Sequence, residues 1–565
     1  MANKIIITVF RGFAILTAFM FMAVSASAAG QPGTPANGKS KRPNILLIIG
    51  DDIGIDVTSN MYPGLIDKLV KQYGPSGHNH PKYKMIDGRP ASTPVLDKLA
   101  QSGMRFTQAW TQPYCSPTRT SLLTGLYSVK TGVLDYMGAL SKTHHSFVKD
   151  LKEKGGYSTA AFGKWHIAGL FNYTGMMPKE AGFDLYLGNL SGGIQTYYDY
   201  AYQIQDDTTP PDQFRTEKPP VRSLPGIAPT TFAPVVKTSN AINWITEQEK
   251  TNPDKPWFVW FAFNLSHITG KQEPNPMVIP NKDTLDDAAL KEMEACAGPD
   301  GKFGSANVGN CSSEALMRGM TNTMDTMIGR LLETVDKLAP NTYVIYLGDN
   351  GTWMFGPKRE FIDNMYITRR GRSKGTAYES GVHVSMAIRG PGIKPGSRSD
   401  AWVHNADLFS TILNLAGLDV PKMVPNKEGN GMVKLDSVSL TPILFNGARE
   451  TRDDNKGYIL AETINPIKQN LMEVGARNKT YKVICDTNAK TENCIFYNLV
   501  DDPIEEYPLA KPESCDKYQN GTWTPADPEW NFCHLQETIA KKSFLANPPD
   551  LSKRSSSGPP PKRKN

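Results

Sequence analysis

The segment Pro43-Asn-Ile-Leu-Leu-Ile-Ile-Gly50, followed at once by Asp51-Asp52, decides the fold. Its apolar run does not alternate with polar residues, so both faces of the strand it forms must be covered, as in the centre of a parallel sheet. Two more runs have the same character: WFVWFAF over Trp257–Phe263 and TYVIYL over Thr342–Leu347. Helical patterns lie between them. Thr93 stands as a cap before PVLDKLAQS, with Pro94 at its start and Gly103 as its stop. Longer amphipathic stretches run over Ser239–Lys250 and Glu314–Leu338. Strands alternating with helices predict a doubly wound, mostly parallel α/β sheet, in which functional residues follow the carboxyl ends of the strands.

Polar residues do follow them. Asp51-Asp52 come after the first run, Asn264 and His267 after the second, and Asp349-Asn350-Gly351 after the third. Adjacent carboxylates at buried strand ends repel one another, and a cation removes that conflict. Three carboxylates and one amide oxygen make a hard-oxygen set, suited to Ca²⁺ or Mg²⁺ rather than Zn²⁺. Read singly, Asp-Asp and Asp-Asn-Gly are also ordinary turn sequences. Their joint placement after apolar strands favours the metal.

The 565 residues are 39% hydrophobic and 21% charged, which excludes a wholly disordered, collagen-like or multi-span membrane protein. The formal charge of +6 sits at the ends of the chain. Lys4 and Arg11, the apolar run Phe13–Val24 and Ala26-Ser27-Ala28 predict a signal peptide over 1–28, and residues 29–42 read as a linker. The tail contributes Lys553, Arg554, Lys562, Arg563 and Lys564 in a disordered basic segment over 548–565. The body is therefore near neutral, and no nucleic-acid partner is expected. Removal of the signal leaves no membrane span, and the product is secreted or periplasmic.

Of seven cysteines, six fall into sequence-local pairs. In an oxidising compartment the simplest bridges join Cys296 to Cys311, Cys485 to Cys494 and Cys515 to Cys533, although six cysteines allow fifteen arrangements. The stretch Lys479–Leu499, holding the second pair, suits a hairpin. Cys115 is left over, in QPYCSPTRTSLLTG. A modified nucleophile is the simplest reason for a lone thiol there.

CSPTRTSLLTG resembles the signature of the type I sulfatases, whose C-x-P-x-R cysteine is oxidised to Cα-formylglycine by a formylglycine-generating enzyme. GYSTAAFGKWH over Gly156–His166 resembles the second signature of that family. PNILLIIGDDIG, TPVLDKLAQSGMRFTQAW, LGDNG, SKGTAYESGVHVSMAIRGPG, DLFSTILNLAG and FYNLVDDPIEEYPLA follow in the family's order. The resemblance implies an alkaline-phosphatase-like catalytic domain over 43–435 and a smaller antiparallel-sheet subdomain with a helix over 436–547. It also implies a Ca²⁺ site (Mg²⁺ being the other candidate) formed by Asp51, Asp52, Asp349, Asn350 and the hydrate made from Cys115.

The same resemblance implies roles for the remaining groups. Arg119 would stabilise the hydrate and the metal site, Lys164 and Lys374 would bind sulfate oxygens, and His166 would move a proton at the hydrate. His267 would bind sulfate or protonate the leaving oxygen. The implied activity is that of an arylsulfatase-like sulfuric ester hydrolase acting on a small sulfate ester or a sulfated carbohydrate. Two other readings stand beside it: a phosphonate monoester or phosphodiester hydrolase on the same scaffold, and a non-catalytic sulfate- or glycan-binding relative. All ten implied positions carry the matching side chain, which disfavours the latter. Departures from the family pattern are Tyr114 and Thr118 around the cysteine, and His383 and Ser385 after the SKGTAYE block. A further departure is SHITGKQEP, which lacks a proline soon after His267. An inserted segment between Ile55 and Ser92 is expected to shape the pocket.

Overall fold

The computed structural model describes residues 42–86, 90–170, 172–270, 275–353, 372–454, 456–465, 471–487 and 489–549. The expected signal segment and nearly all of the linker and basic tail lie outside the described residues. In chain order the strands are β1 (Asn44–Gly50), β2 (Met104–Trp110), β3 (Ser158–Lys164), β4 (Leu185–Asn189), β5 (Tyr202–Gln205) and β6 (Arg215–Glu217). A short ribbon, β7 (Arg222–Leu224) and β8 (Ile227–Thr230), leads to β9 (Trp257–Ala262), β10 (Thr342–Gly348), β11 (His383–Arg389) and β12 (Ser397–His404). A second ribbon, β13 (Met423–Pro425) and β14 (Met432–Lys434), precedes β15 (Ile459–Asn465), β16 (Leu471–Arg477), β17 (Tyr481–Asp486) and β18 (Cys494–Asn498).

Ten strands form the main sheet in the order β12-β2-β11-β10-β1-β9-β3-β4-β5-β6. The three apolar runs are its centre: β1 pairs in parallel with β10 on one side and β9 on the other. The sheet is mostly parallel, with β5 and β11 running against their neighbours. Alternate residues of β1 serve opposite cores. Leu46 and Ile48 pack with residues of the helices Ala233–Thr251 and Ser313–Leu338. Ile45, Leu47 and Ile49 pack with those of Cys115–Thr124, Phe147–Glu153 and Asp407–Leu415. That two-sided burial is why the sequence of β1 shows no alternation.

One helix boundary and one cap differ from expectation for physical reasons. The helix predicted from Ser239 begins at Ala233, because Pro234 fits a first turn and Val235 and Val236 are fully buried. Thr93 does occupy the N-cap position of the helix Pro94–Ser102, but its side chain makes no capping bond. The cap comes from across the core. Asp325, in the long helix Ser313–Leu338, accepts from Val95 N at 2.9 Å and Leu96 N at 2.8 Å.

Strands β15–β18 form a separate antiparallel sheet. The helix Pro528–Lys542 covers it with Phe532, Leu535 and Ile539. The three sequence-local disulfides are present, and Cys485–Cys494 ties β17 to β18 at directly opposed positions. No helix among the described residues is long and apolar enough to cross a membrane.

Replacing Asp325 with alanine orphans two N–H groups at a helix start. Asp325→Ala is expected to cost about 2–6 kcal/mol of stability, at about 1–3 kcal/mol per orphaned group. Urea unfolding measures this as a lower midpoint at unchanged slope. An unchanged midpoint would show that the long helix does not cap its neighbour.

Candidate active site

The carboxyl ends of β1, β10, β3 and β9 and the start of the helix Cys115–Thr124 converge on one buried point. Asp51 leaves β1 held by backbone bonds to the chain after β9: its N–H donates to Leu265 O at 2.9 Å, and its carbonyl accepts from Ser266 N at 2.7 Å. Asp52 then turns in the left-handed region, at φ 60°, an uncommon conformation that Asp tolerates better than most residues. The turn is closed by Asp52 N donating to Asp349 Oδ1 at 3.1 Å. The carboxylates of Asp51, Asp52 and Asp349 are thus gathered with no solvent exposure.

Three cations offset them. Arg119 reaches Asp349 Oδ2 through Nε at 3.1 Å and Nη2 at 2.8 Å, while its Nη1 donates to Lys164 O at 2.8 Å. Lys164 Nζ donates to both oxygens of Asp51, at 2.8 and 2.7 Å. Lys374 Nζ pairs with Asp52 Oδ1. Burial alone pushes the carboxyls of Asp52 and Asp349 up. Lys374 and His267 reverse this at Asp52, and Arg119 and Lys164 at Asp349, so both stay below the usual carboxylate range.

Cys115 is the first residue of its helix and is buried. Its Sγ lies 3.0 Å from His166 Nδ1. His166 Nε2 sits 2.8 Å from Tyr136 O, so the Nε2–H tautomer donates there and leaves Nδ1 as an acceptor toward the thiol. Burial, with Lys164 and Arg119 nearby, pushes the His166 pKa well down, which keeps the ring neutral. Gly192 packs against that ring so closely that an added Cβ would lie 2.3 Å from Cε1.

His267 also reaches the site despite its divergent local sequence. Its Nδ1 is 2.6 Å from Ile268 O, and its Nε2 is 4.0 Å from Asp52 Oδ2. Its side chain is 20% exposed, whereas those of the three carboxylates show no exposure, which places it at the rim. Burial and the Lys374 charge push its pKa down to about 3.

The donor set fits a hard cation. Ligand atoms of Asp51, Cys115 and Asp349 all lie within 4.8 Å of one another. Asp52 Oδ2 and Asn350 Oδ1 are buried acceptors without a hydrogen-bond partner among the described residues, which is costly unless a positive group faces them. Asn350 Nδ2 donates to Asp52 Oδ1 at 2.9 Å, which fixes the amide with its oxygen free.

The structure brings all ten sequence-derived positions into one cluster, and it adds a residue that the sequence did not single out. Lys237 is buried in the helix Ala233–Thr251, with Nζ 3.1 Å from Asn189 Oδ1 and also bonded to Asn264 Oδ1. Burial pushes its pKa down to about 7. Lys237 lay just before the stretch read as helical, and one lysine carries no periodic signal. Asn189, at the carboxyl end of β4, could have been found by the strand-end rule had so short a strand been legible.

The inserted segment between Ile55 and Ser92 makes its own set of contacts. Its helix Leu65–Tyr73 and the following loop are tied to residues 501–507: Tyr73 OH bonds Asp502, and His78 Nε2 lies 2.9 Å from Asp501 O. The segment lines a cavity of about 320 Å³ that includes none of the ten site residues. Asp56 accepts from Thr352 Oγ1, two residues after Asn350, at 2.6 Å.

A mostly parallel sheet with its charged groups at the strand ends and a small antiparallel sheet beyond it defines an alkaline-phosphatase-like hydrolase. A family model described as Sulfatase matches residues 43–418, about two thirds of the chain, and the chain belongs to that family. It is a sulfuric ester hydrolase. Arylsulfatase G of Rattus norvegicus is 25% identical over 538 residues, covering 88% of this chain and 87% of the relative. Arylsulfatase of Klebsiella aerogenes is 24% identical over 512 residues, covering 76% and 98%. Among solved structures, PsFucS1 sulfatase from Pseudoalteromonas sp. aligns with a TM-score of 0.57 at 20% identity, covering 89% of this chain and 91% of that one. A protein solved with its substrate D-glucosamine-2-N,6-O-disulfate aligns with a TM-score of 0.57 at 20% identity, covering 91% and 100%.

Arg119→Met strands Asp349 as an uncompensated buried charge. It is expected to destabilise the fold by about 3–5 kcal/mol, the usual cost of removing one partner from a buried pair. Chemical denaturation is the measurement. A loss below 1 kcal/mol would show that the pair is not what holds the two elements together.

Proposed function

We propose that this sulfatase hydrolyses sulfate monoesters through a Cα-formylglycine made from Cys115, beside a Ca²⁺ ion. The observation that carries the reading is the position of Cys115 Sγ: 3.0 Å from a neutral histidine nitrogen and clustered with carboxylate oxygens of Asp51 and Asp349. Hydrated formylglycine supplies two hydroxyls on one carbon, so that one can displace the alcohol from sulfur and the other can later expel sulfate. Asp51, Asp52, Asp349, Asn350 and the modified side chain would hold the cation, which offsets charge on the sulfate oxygens; Mg²⁺ would suit the same oxygen donors.

The chain's own groups do the rest. Nδ1 of His166 accepts a proton from the nucleophile, since its other nitrogen is committed to Tyr136 O. Lys164 and Lys374 bind sulfate oxygens as compact charges, and Arg119 holds Asp349 and the nucleophile's helix in register. Nδ1–H of His267 donates to Ile268 O, which leaves Nε2 at the rim to take up a proton beside the bound anion and deliver it to the leaving oxygen. Three carboxylates and three cations balance, so a divalent ion leaves the site positive and matched to an anionic ester.

Residues 43–435 would form the catalytic domain and 436–547 the smaller subdomain. The residue pattern before Ala28 and the three disulfides support export to an oxidising compartment, secreted or periplasmic. The substrate is a sulfate ester of a small molecule or a carbohydrate. The structural relative solved with a disulfated glucosamine places sugar sulfates in the assay panel.

The test is kcat/KM for an aryl sulfate against an aryl phosphate diester. The sulfate is expected to be favoured, and a large excess for the diester would overturn the assignment. Cys115→Ala abolishes turnover. Cys115→Ser, with one hydroxyl, accumulates enzyme heavier by one sulfonate group without turning over. Lys374→Ala lowers kcat/KM by about a hundredfold or more, the usual effect of losing one charge-stabilising donor. Wild-type turnover in Lys374→Ala would show that this lysine does not contact the reacting group. Chelator-treated enzyme loses activity, and Ca²⁺ restores it better than Mg²⁺.

A further inference from the structure

Lys374 belongs to a segment that the family match covers, but the groups fixing the outer side of that segment lie beyond residue 418, where the match ends. On its inner side the segment is anchored to the core: Lys374 N donates to Thr352 O at 3.3 Å, and Gly375 N donates to Pro113 O, two residues before Cys115, at 2.8 Å. Gly375 stands at φ +87°, where an added Cβ would lie 2.4 Å from the Tyr114 hydroxyl, so the loop is pressed against the nucleophile's own turn.

On its outer side the segment is held by the C-terminal sheet and the loop after it. Glu473 of β16 accepts from Ala377 N. Glu505 Oε2 accepts from Glu379 N at 2.6 Å. Lys482 Nζ of β17 bridges Glu379 Oε1 at 3.0 Å and Glu505 Oε1 at 2.6 Å. Glu379 Oε1 also accepts from Trp110 Nε1 at 3.0 Å, and its Oε2 faces His383 Nδ1 at 3.3 Å and Arg477 Nη1 at 4.0 Å. Lys482 has no exposed side-chain surface and stands 4.5 Å from the centroid of the Trp110 ring. Every member except the part-exposed His383 is buried.

Such a network is a poor source of net stability, because desolvating four charges cancels much of their attraction. What it does supply is geometry. Two backbone N–H groups, three and five residues after Lys374, are bound by the carboxylates of Glu473 and Glu505, and Lys482 holds Glu505 while also pairing with Glu379 in the segment itself. The hydrogen bonds are directional, and burial keeps bulk solvent from substituting for them.

We infer that Glu473, Glu505 and Lys482 are positioning residues for Lys374, so that the C-terminal sheet completes the sulfate-binding site without touching the substrate. This rests on the proposed role of Lys374 and extends it. The site is then a joint product of both parts of the chain.

The test is steady-state kinetics of the full chain with an aryl sulfate, normalised to the folded fraction. Glu473→Ala and Lys482→Met are expected to raise KM and lower kcat/KM by about ten- to a hundredfold, the range for a misplaced binding group. Glu473→Gln keeps an acceptor oxygen and is expected to restore the wild-type KM. Glu462→Ala is the control: this buried carboxylate of β15 accepts from Val129 N and Phe544 N, away from the Lys374 segment, so stability falls while KM holds. If Glu473→Ala shifts only the folded fraction, as Glu462→Ala does, the inference is overturned. If Lys482→Met does not fold, the Glu473 pair decides alone. Lys374→Ala separates the two claims: impairment there with a normal KM in Glu473→Ala refutes the positioning role alone, and wild-type kinetics in Lys374→Ala refutes the reading beneath it.

Discussion

Asp51, Asp52 and Asp349 stand at the ends of two neighbouring strands with no access to water, and the molecule around them is arranged to make that tolerable. Buried carboxylates that close together cannot all ionise unless positive charge meets them. Arg119 arrives from the helix that Cys115 starts, Lys164 from the end of β3, and Lys374 from the segment before β11. Each cation ties a different element to the same point. The charges that make the site chemically useful are therefore also what fixes the strand ends, the nucleophile's helix and the Lys374 segment relative to one another.

The same constraint explains the part played by the second sheet. Lys374 cannot offset Asp52 unless its backbone is held, and the core holds it on one side only. Glu473 and Glu505 supply the other side, and Lys482 keeps Glu505 in place. A short antiparallel sheet with its own disulfide and covering helix is rigid enough for this task.

Much of this was legible in the sequence because it depends on local pattern. Uninterrupted apolar runs identify β1, β9 and β10, and their polar ends identify Asp51, Asp52, Asp349 and Asn350. The ordered family blocks extended the reading to Arg119, Lys164, His166 and Lys374, the end of β9 pointed to His267, and the structure gathers these groups at one point. What escaped depends on contacts distant in the chain. Asp325 caps a helix about 230 residues away, where Thr93 looked sufficient. Lys237 is one lysine within a helix, and its two amide partners meet it only after folding. The polar contacts of the inserted segment run chiefly to residues 501–507, a pairing that no local pattern shows.

The account stands on the fate of one thiol. The most direct measurement is mass spectrometry of the tryptic peptide Phe106–Arg119 from active enzyme made in its native host, with the turnover of the same preparation recorded. The account predicts an aldehyde or its hydrate in place of the Cys115 thiol, in a fraction that tracks specific activity. Full activity from chains carrying only unmodified Cys115 would contradict it.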